Sequence, residues 1–253
     1  MLKKILLTGG AGNLGKAILS LPSASSFLAP SRSILDITKP DTIKSFFEKN
    51  QFDAVIHCAA LARMKECHEN PAKTIEANIV GTANLVAEAI NKENKTGKSI
   101  RFVHISTDGV YEGTKGNYSE NDAAIPYNFY GWTKLGAECS VKLLKNHCII
   151  RTSFFDPKNI KFNESAVDAY SSKVTINYLA KSIIAMLGKD FIGTVNIGSE
   201  RKSDYEHYKP YKPELKKCRF EDIQKSVPFR LTKDSSMNIS LWNKIKNKKR
   251  ANK

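Results

Sequence analysis

Lys3-Lys4-Ile5-Leu6-Leu7-Thr8-Gly9-Gly10-Ala11-Gly12-Asn13-Leu14-Gly15-Lys16-Ala17-Ile18 is the stretch that decides the fold of this chain. An apolar run ends in a glycine-rich turn, and a helix-like stretch follows it. A buried strand feeding a helix through such a turn opens a dinucleotide-binding fold: the glycines permit the tight turn and let the backbone approach a pyrophosphate. The helix N-terminus then offers free N–H groups and the positive end of its dipole to the phosphates. Gly9, Gly12 and Gly15 fit a TGxxGxxG pattern with Asn13 and Leu14 between them, and these five positions are expected at the cofactor. The lysines before the apolar run mimic a signal peptide, but glycines arriving in motif order make this segment a first strand.

Working outward, strand-like and helix-like segments alternate. Candidate strands fall at 3–8, 27–29, 53–59, 100–106 and 148–152, and helical stretches at 12–21, 40–50, 71–92 and 127–145. This alternation predicts an α/β fold, a Rossmann-type doubly wound parallel sheet covered on both faces. Within 71–92, Ile75, Ile79, Thr82, Leu85, Val86 and Ala89 recur at three- and four-residue steps, which predicts one helix with one buried face. Beyond Arg151 the pattern thins to a helix at 175–187, a strand at 193–197 and a short element at Tyr205-Glu206-His207-Tyr208, broken by Pro210 and Pro213. The expected organisation is a Rossmann domain over 1–153, with part of 175–198 packing back onto it. A small, shortened C-terminal substrate lobe over 154–240 and a basic flexible tail over 241–253 complete it. No repeat or low-complexity linker separates the parts.

The chain has 253 residues, 41% of them apolar, and no apolar run reaches the roughly 18 to 20 residues that cross a bilayer. No membrane association is expected. Five cysteines, an odd number without CxxC spacing, argue against a disulfide framework and for a cytoplasmic location. His57-Cys58, Cys67-His68 and His147-Cys148 are adjacent pairs, which a strand points to opposite faces, so no metal site is expected. The net charge of +15 divides unevenly: residues 1–150 hold 18 basic and 14 acidic side chains, giving +4, and the remainder hold 22 and 11, giving +11. Lys244, Lys246, Lys248, Lys249, Arg250 and Lys253 account for much of that excess and read as a solvated tail. Nucleic acid is not the expected partner, because the aromatic-rich basic motifs of the common modules are missing.

Tyr130 and Lys134 are four residues apart in a helical stretch, hence on one face, one turn from each other. An ammonium beside a phenol stabilises the phenolate and draws its pKa toward the working range, the arrangement of an acid–base pair. Upstream, Phe102-Val103-His104-Ile105-Ser106-Thr107-Asp108 ends a strand in hydroxyl residues at the carboxyl edge of the sheet, where open α/β sheets bind ligands. Thr107 or Ser106 can hold a substrate oxygen there, or cap the loop that follows. After the second strand come Ser31, Arg32 and Ser33 in place of an acidic residue, which favours the 2′-phosphate of NADP over the ribose of NAD. Asp36 stands where it could still serve NAD.

TGGAGNLG (8–15), LDIT (35–38), DAVIHCAA (53–60), NIVGTANL (78–85), HISTDGVYEG (104–113), YGWTKLGAE (130–138) and IIRTS (149–153) together resemble the extended short-chain dehydrogenase/reductases, within them the group around dTDP-4-dehydrorhamnose reductase. The resemblance implies a catalytic set of Thr107, Tyr130 and Lys134, with hydride passing from NADPH to a 4-keto group of a nucleotide-linked sugar. It also implies Lys134 on the nicotinamide ribose, Ala59, Ala60 and Leu61 lining the cofactor, and Asp36 with Ile37 near the adenine. Dehydratases of the superfamily carry Asp-Glu after the threonine, whereas Asp108 is followed here by Gly109, so water elimination is not expected. The region 155–172 is shorter than in typical reductases. A 4-epimerase retaining NAD and a non-catalytic NADP-binding regulatory subunit are the alternatives the resemblance leaves open, and a homodimer through Rossmann helices is the assembly it implies.

Overall fold

A computed structural model describes residues 4–22 and 26–248. In chain order its elements begin β1 (Lys4–Thr8), α1 (Asn13–Leu19), β2 (Ser26–Leu28), α2 (Pro40–Lys49), β3 (Ala54–His57), α3 (Met64–Glu69), α4 (Pro71–Ile75), a π-helical turn (Glu76–Val80) and α5 (Gly81–Thr96). They continue with β4 (Arg101–Ile105), a 3-10 turn (Asp108–Val110), α6 (Phe129–Val141) and β5 (His147–Thr152). Next come the short strands β6 (Phe154–Phe155), β7 (Glu164–Ala166), β8 (Tyr170–Ser171) and β9 (Val174–Thr175), then α7 (Ile176–Leu187) and β10 (Gly193–Ile197). The chain closes with β11 (Lys202–Ser203), α8 (Asp204–Tyr208), β12 (Lys216–Cys218), α9 (Phe220–Lys225) and α10 (Ser240–Asn247).

Six strands form one parallel sheet in the order β10-β5-β4-β3-β1-β2. The order reverses at β1, so the crevice beyond the carboxyl ends of β1 and β3 is the topological switch point. Both faces are covered, which explains why the strands read as continuous apolar runs. Alternate residues feed two cores. Ile5, Leu7, Ile56, Val103 and Ile150 meet α1 and α7, while Leu6, Val55, Phe102 and Ile149 meet α2, α5 and α6. Residues 176–197 return to this sheet as α7 and β10, with α7 packed beside α1.

Two expectations need correction. Residues 71–92 do not form one helix with Ile75 on its buried face: Ile75 is 47% exposed, and Thr74 and Asn78 are buried instead. The π turn is the cause, because its wider i→i+5 turn slips the register of the apolar stripe before α5 begins. The basic segment does not start as a loose tail at 241 either. Ser240–Asn247 is helical, and Trp242, 3% exposed, joins the core under α7 with its Nε1 donating to Tyr178 Oη at 3.0 Å. Lys249, Arg250 and Lys253 lie outside the described residues.

Candidate active site

At the switch point a cavity of about 320 Å³ is lined by Gly9, Gly12, Arg32, Asp36, Ile37, Ala59, Ala60 and Leu61 among the sequence-expected residues. Asn13, Leu14, Gly15, Tyr130 and Lys134 lie outside its lining. The glycines divide by purpose. A Cβ on Gly9 would stand 2.6 Å from Ala59 N, and one on Gly15 would stand 2.3 Å from Gly9 O, so these two are required by backbone packing. A Cβ on Gly12 would meet only Gly9 O, at 3.3 Å, and Gly12 is the residue whose bareness keeps the cavity floor open. Gly12 also N-caps α1 with no side chain occupying the helix end. A cavity at the switch point with a bare backbone floor beside a helix N-terminus suits a phosphate-bearing ligand.

The walls are wired together beneath the cavity. Thr8 Oγ1 and His57 Nδ1 are 2.7 Å apart, and His57 Nε2 lies 2.9 Å from Thr82 Oγ1, whose own proton goes to Asn78 O at 2.7 Å. His57 therefore donates from Nε2 and accepts at Nδ1. It is a satisfied core histidine, and burial with the nearby Lys134 charge lowers its pKa to about 3. Asn78, placed inward by the π turn, holds Leu61 at both backbone groups (2.7 and 2.9 Å) and donates to Thr133 Oγ1 at 3.0 Å. One amide thus ties the cavity wall to α6.

Asp36 is held at both oxygens: Oδ2 accepts from Arg32 Nε at 2.9 Å, and Oδ1 accepts from Thr38 N and Oγ1 at 3.0 and 2.8 Å. The Arg32 side chain remains 76% exposed at the rim. Thr38, Cys58, Lys73, Glu76 and Ala77 also line the cavity. The last three come from α4 and the π turn, which no motif marks.

Beyond β4, Ser106 and Thr107 separate in role. Ser106 Oγ donates to Glu138 Oε1 at 2.5 Å, so it is committed to the core. Thr107 Oγ1 caps the 3-10 turn by accepting from Gly109 N at 3.0 Å and donates to Asp108 Oδ1 at 3.1 Å, so the loop-capping role is real. The hydroxyl also interacts with the Tyr130 phenol. Asn128 caps α6, accepting from Gly131 N at 2.9 Å and so aiming the helix that carries Tyr130 and Lys134. Further down α6, Glu138 and Arg151 pair bidentately (3.0 and 2.7 Å) where both side chains are nearly inaccessible.

The Tyr130 pKa differs from the sequence expectation. It is raised, first by burial and then by the neighbouring Asp108 carboxyl, with the Thr107 hydroxyl acting in the other direction. Lys134 does not draw it down. Lys134 is itself 2% exposed, burial lowers its pKa to about 8, and its Nζ lies 3.2 Å from His104 Nε2. A segment the sequence left unmarked roofs this edge. Ser235 Oγ donates to Asp108 Oδ2 at 2.8 Å, Thr232 interacts with the Tyr127 phenol, and Phe229 stands 5.9 Å from the His68 ring, which stacks on Phe129. The cluster Asp234-Ser235-Ser236 was its only local signal. Among the described residues no group of three or more metal-ligating side chains occurs, and no helix is long and apolar enough to cross a membrane.

A parallel sheet with a glycine-floored crevice at its switch point defines a protein of the NAD(P)-binding Rossmann class. Within that class, the model of the RmlD substrate binding domain family matches residues 3–177, and the chain belongs to that family. A dTDP-4-keto-6-deoxy-D-glucose reductase from Streptomyces niveus is 31% identical over 159 residues, covering 61% of this chain and 53% of the relative. Methionine adenosyltransferase 2 subunit beta from Rattus norvegicus is 27% identical over 184 residues, 68% of this chain and 53% of the relative. The chain spans about half the length of these curated relatives. The solved structure of a dTDP-4-dehydrorhamnose reductase ortholog from Clostridium acetobutylicum superposes with a TM-score of 0.81 at 26% identity, covering 92% of this chain and 89% of that one.

Proposed function

We propose that this chain binds NADPH at the switch-point cavity and reduces a 4-keto group on a nucleotide-linked sugar, with Tyr130 as proton donor and Thr107 and Lys134 completing the catalytic set. The observation that carries this reading is the placement of the cavity, the Thr107 hydroxyl and the capped N-terminal turn of α6 along one carboxyl edge of one sheet. The bound dinucleotide supplies a hydride for the carbonyl carbon. Tyr130, held neutral by burial and Asp108, gives its O–H proton to the carbonyl oxygen as negative charge develops there. An alkoxide is more basic than a phenolate, so the transfer runs downhill even from a phenol whose pKa is raised. Thr107 orients the same oxygen, and the Lys134 ammonium offsets charge left near the phenol.

In this reading Gly9, Gly12, Asn13, Leu14 and Gly15 receive the pyrophosphate, Ala59, Ala60 and Leu61 the nicotinamide side, and Asp36 with Ile37 the adenosine end. Arg32 meets the 2′-phosphate of NADP. The Arg32 guanidinium held beside Asp36 at the rim supports NADP over NAD, since it sets a cation where the 2′-phosphate would lie. Residues 153–175 and 198–238 form the lobe that selects the sugar and its nucleotide. The names of the reductase relatives support a deoxynucleoside-diphosphate sugar.

Incubation of the purified protein with NADPH and a panel of dTDP-, UDP- and GDP-4-keto sugars tests the reading through loss of reduced nicotinamide. The Tyr130→Phe variant is expected to lose about 10²- to 10⁴-fold in turnover while binding NADPH normally. Binding without turnover on every substrate would overturn the reductase assignment, and sugar interconversion with no net NADPH consumption would replace it with an epimerase.

A further inference from the structure

Two buried histidines lie on adjacent strands with ring centroids 5.2 Å apart, and only one of them is satisfied. His57 has partners at both nitrogens. His104 is 0% exposed, its Nε2 is 3.2 Å from Lys134 Nζ, and its Nδ1 has no hydrogen-bond partner among the described residues. An orphaned ring nitrogen in a buried sheet asks for a compensating use. Lys134 supplies one. Among the described residues no carboxylate lies within ion-pairing distance of it, and the imidazole is its hydrogen-bonding partner.

The charged and titratable groups facing Lys134 are few. From the β3 side come His57 and the Cys58 thiol, from β4 His104, and from α6 Tyr130, one turn earlier on the helix, and Glu138, whose carboxylate is committed to Arg151 and Ser106. The π turn and α5 contribute the neutral Asn78 and Thr82 at this level. An ammonium only donates, so Nε2 of His104 must accept, and the proton of a neutral ring then sits on Nδ1. Burial and the adjacent Lys134 and His57 keep that ring neutral.

We propose that His104 is a positioning residue for Lys134, its Nε2 holding the ammonium at the active edge and its ring fixed as the Nδ1–H tautomer. The orphaned Nδ1–H is the consequence of that commitment. The functional part of the inference rests on the role given to Lys134 above; the tautomer does not.

The first test therefore needs no substrate. Long-range nitrogen–proton NMR of the imidazoles in the full chain at about neutral pH should show His104 as the Nδ1–H tautomer, with the bias lost in Lys134→Met. An Nε2–H ring in the unaltered protein overturns the proposal. The second test follows the alkaline limb of NADPH-dependent turnover. His104→Phe, which removes the acceptor, should move that limb down by about one pH unit, equivalent to a tenfold weaker hold on the proton. His104→Gln, whose amide oxygen can accept, should restore it. A uniform loss of rate in His104→Phe with the limb unmoved also overturns positioning. If the unaltered protein shows the expected tautomer and turns over no substrate, the reductase reading fails and the His104–Lys134 arrangement stands.

Discussion

The sheet half of the molecule and the lobe built from 153–175 and 198–238 are held together by different means. In the sheet, strands of three to six residues pair in parallel and bury apolar side chains on both faces. In the lobe, strands of two or three residues are pinned by polar contacts between distant positions: Lys173 with Asp204 at 2.5 Å, Arg219 with Asp168 at 3.4 Å, and Arg201 with Asp234 at 2.8 Å while stacked over Tyr170. Apolar periodicity specifies the first kind of structure locally. The second is specified by pairs of side chains tens of residues apart, which leave no period in the sequence.

The contrast breaks first at Glu138, a charge buried inside the apolar half. Removing one partner of a buried ion pair leaves the other uncompensated, so Glu138→Ala should cost about 3–5 kcal/mol in denaturant unfolding and lower turnover as α6 loosens. Replacement that leaves stability within error would mean that the Arg151 charge finds another home. Trp242 tests where the two halves divide. It follows the lobe in sequence but packs under α7, so Trp242→Ala should destabilise the sheet half by about 3 kcal/mol, read as lost amide protection in α7 and β10. Loss confined to the lobe would reverse that assignment.

His207 sharpens the comparison through pH. Its ring is 6% exposed with Nε2 on Ser171 O, and burial with the Lys173 charge lowers its pKa from 6.5 to about 4. Between those values the unfolded chain binds more protons than the folded one. Stability is therefore complete above about pH 6.5 and declines as pH falls toward 4, by about 3 kcal/mol from this group. Chemical denaturation at several pH values should show the decline, and His207→Gln should flatten it. The smallest effect is expected at the roof. Ser235→Ala removes the hydroxyl holding Asp108, costing about 1 kcal/mol and raising KM for the proposed sugar substrate more than it lowers kcat. An unchanged KM would separate the roof from substrate binding.

Much of the sheet was legible because each signal was local. A strand running into a turn at Gly9 and Gly12 states its turn chemistry in neighbouring residues, and the Tyr130–Lys134 spacing states a shared helix face. What the sequence could not express was environment. The pKa of the Tyr130 phenol is raised by burial and then by the Asp108 carboxyl on another segment, and Lys134 turns to His104 on a neighbouring strand. Ile75 shows a subtler limit: its spacing fitted a regular helix, and a single wide turn displaced it to the surface. Trp242 shows the converse, since three apolar side chains within a basic run, Trp242 with Leu241 and Ile245 beside it, anchor a helix that charge alone would have left in solvent.

The π turn at Glu76–Val80 has a further consequence as a matter of helical phase. Shortening this stretch by one residue would bring regular i→i+4 bonding to the whole of 71–96 and would remove the wide turn that sets Asn78 inward. The more regular helix would carry Asn78 away from Leu61 and Thr133, cutting the amide link between cavity wall and α6. Such a deletion could leave the fold intact and the dinucleotide crevice misshapen, a lesion in which local regularity and ligand geometry are set against each other by one residue of length.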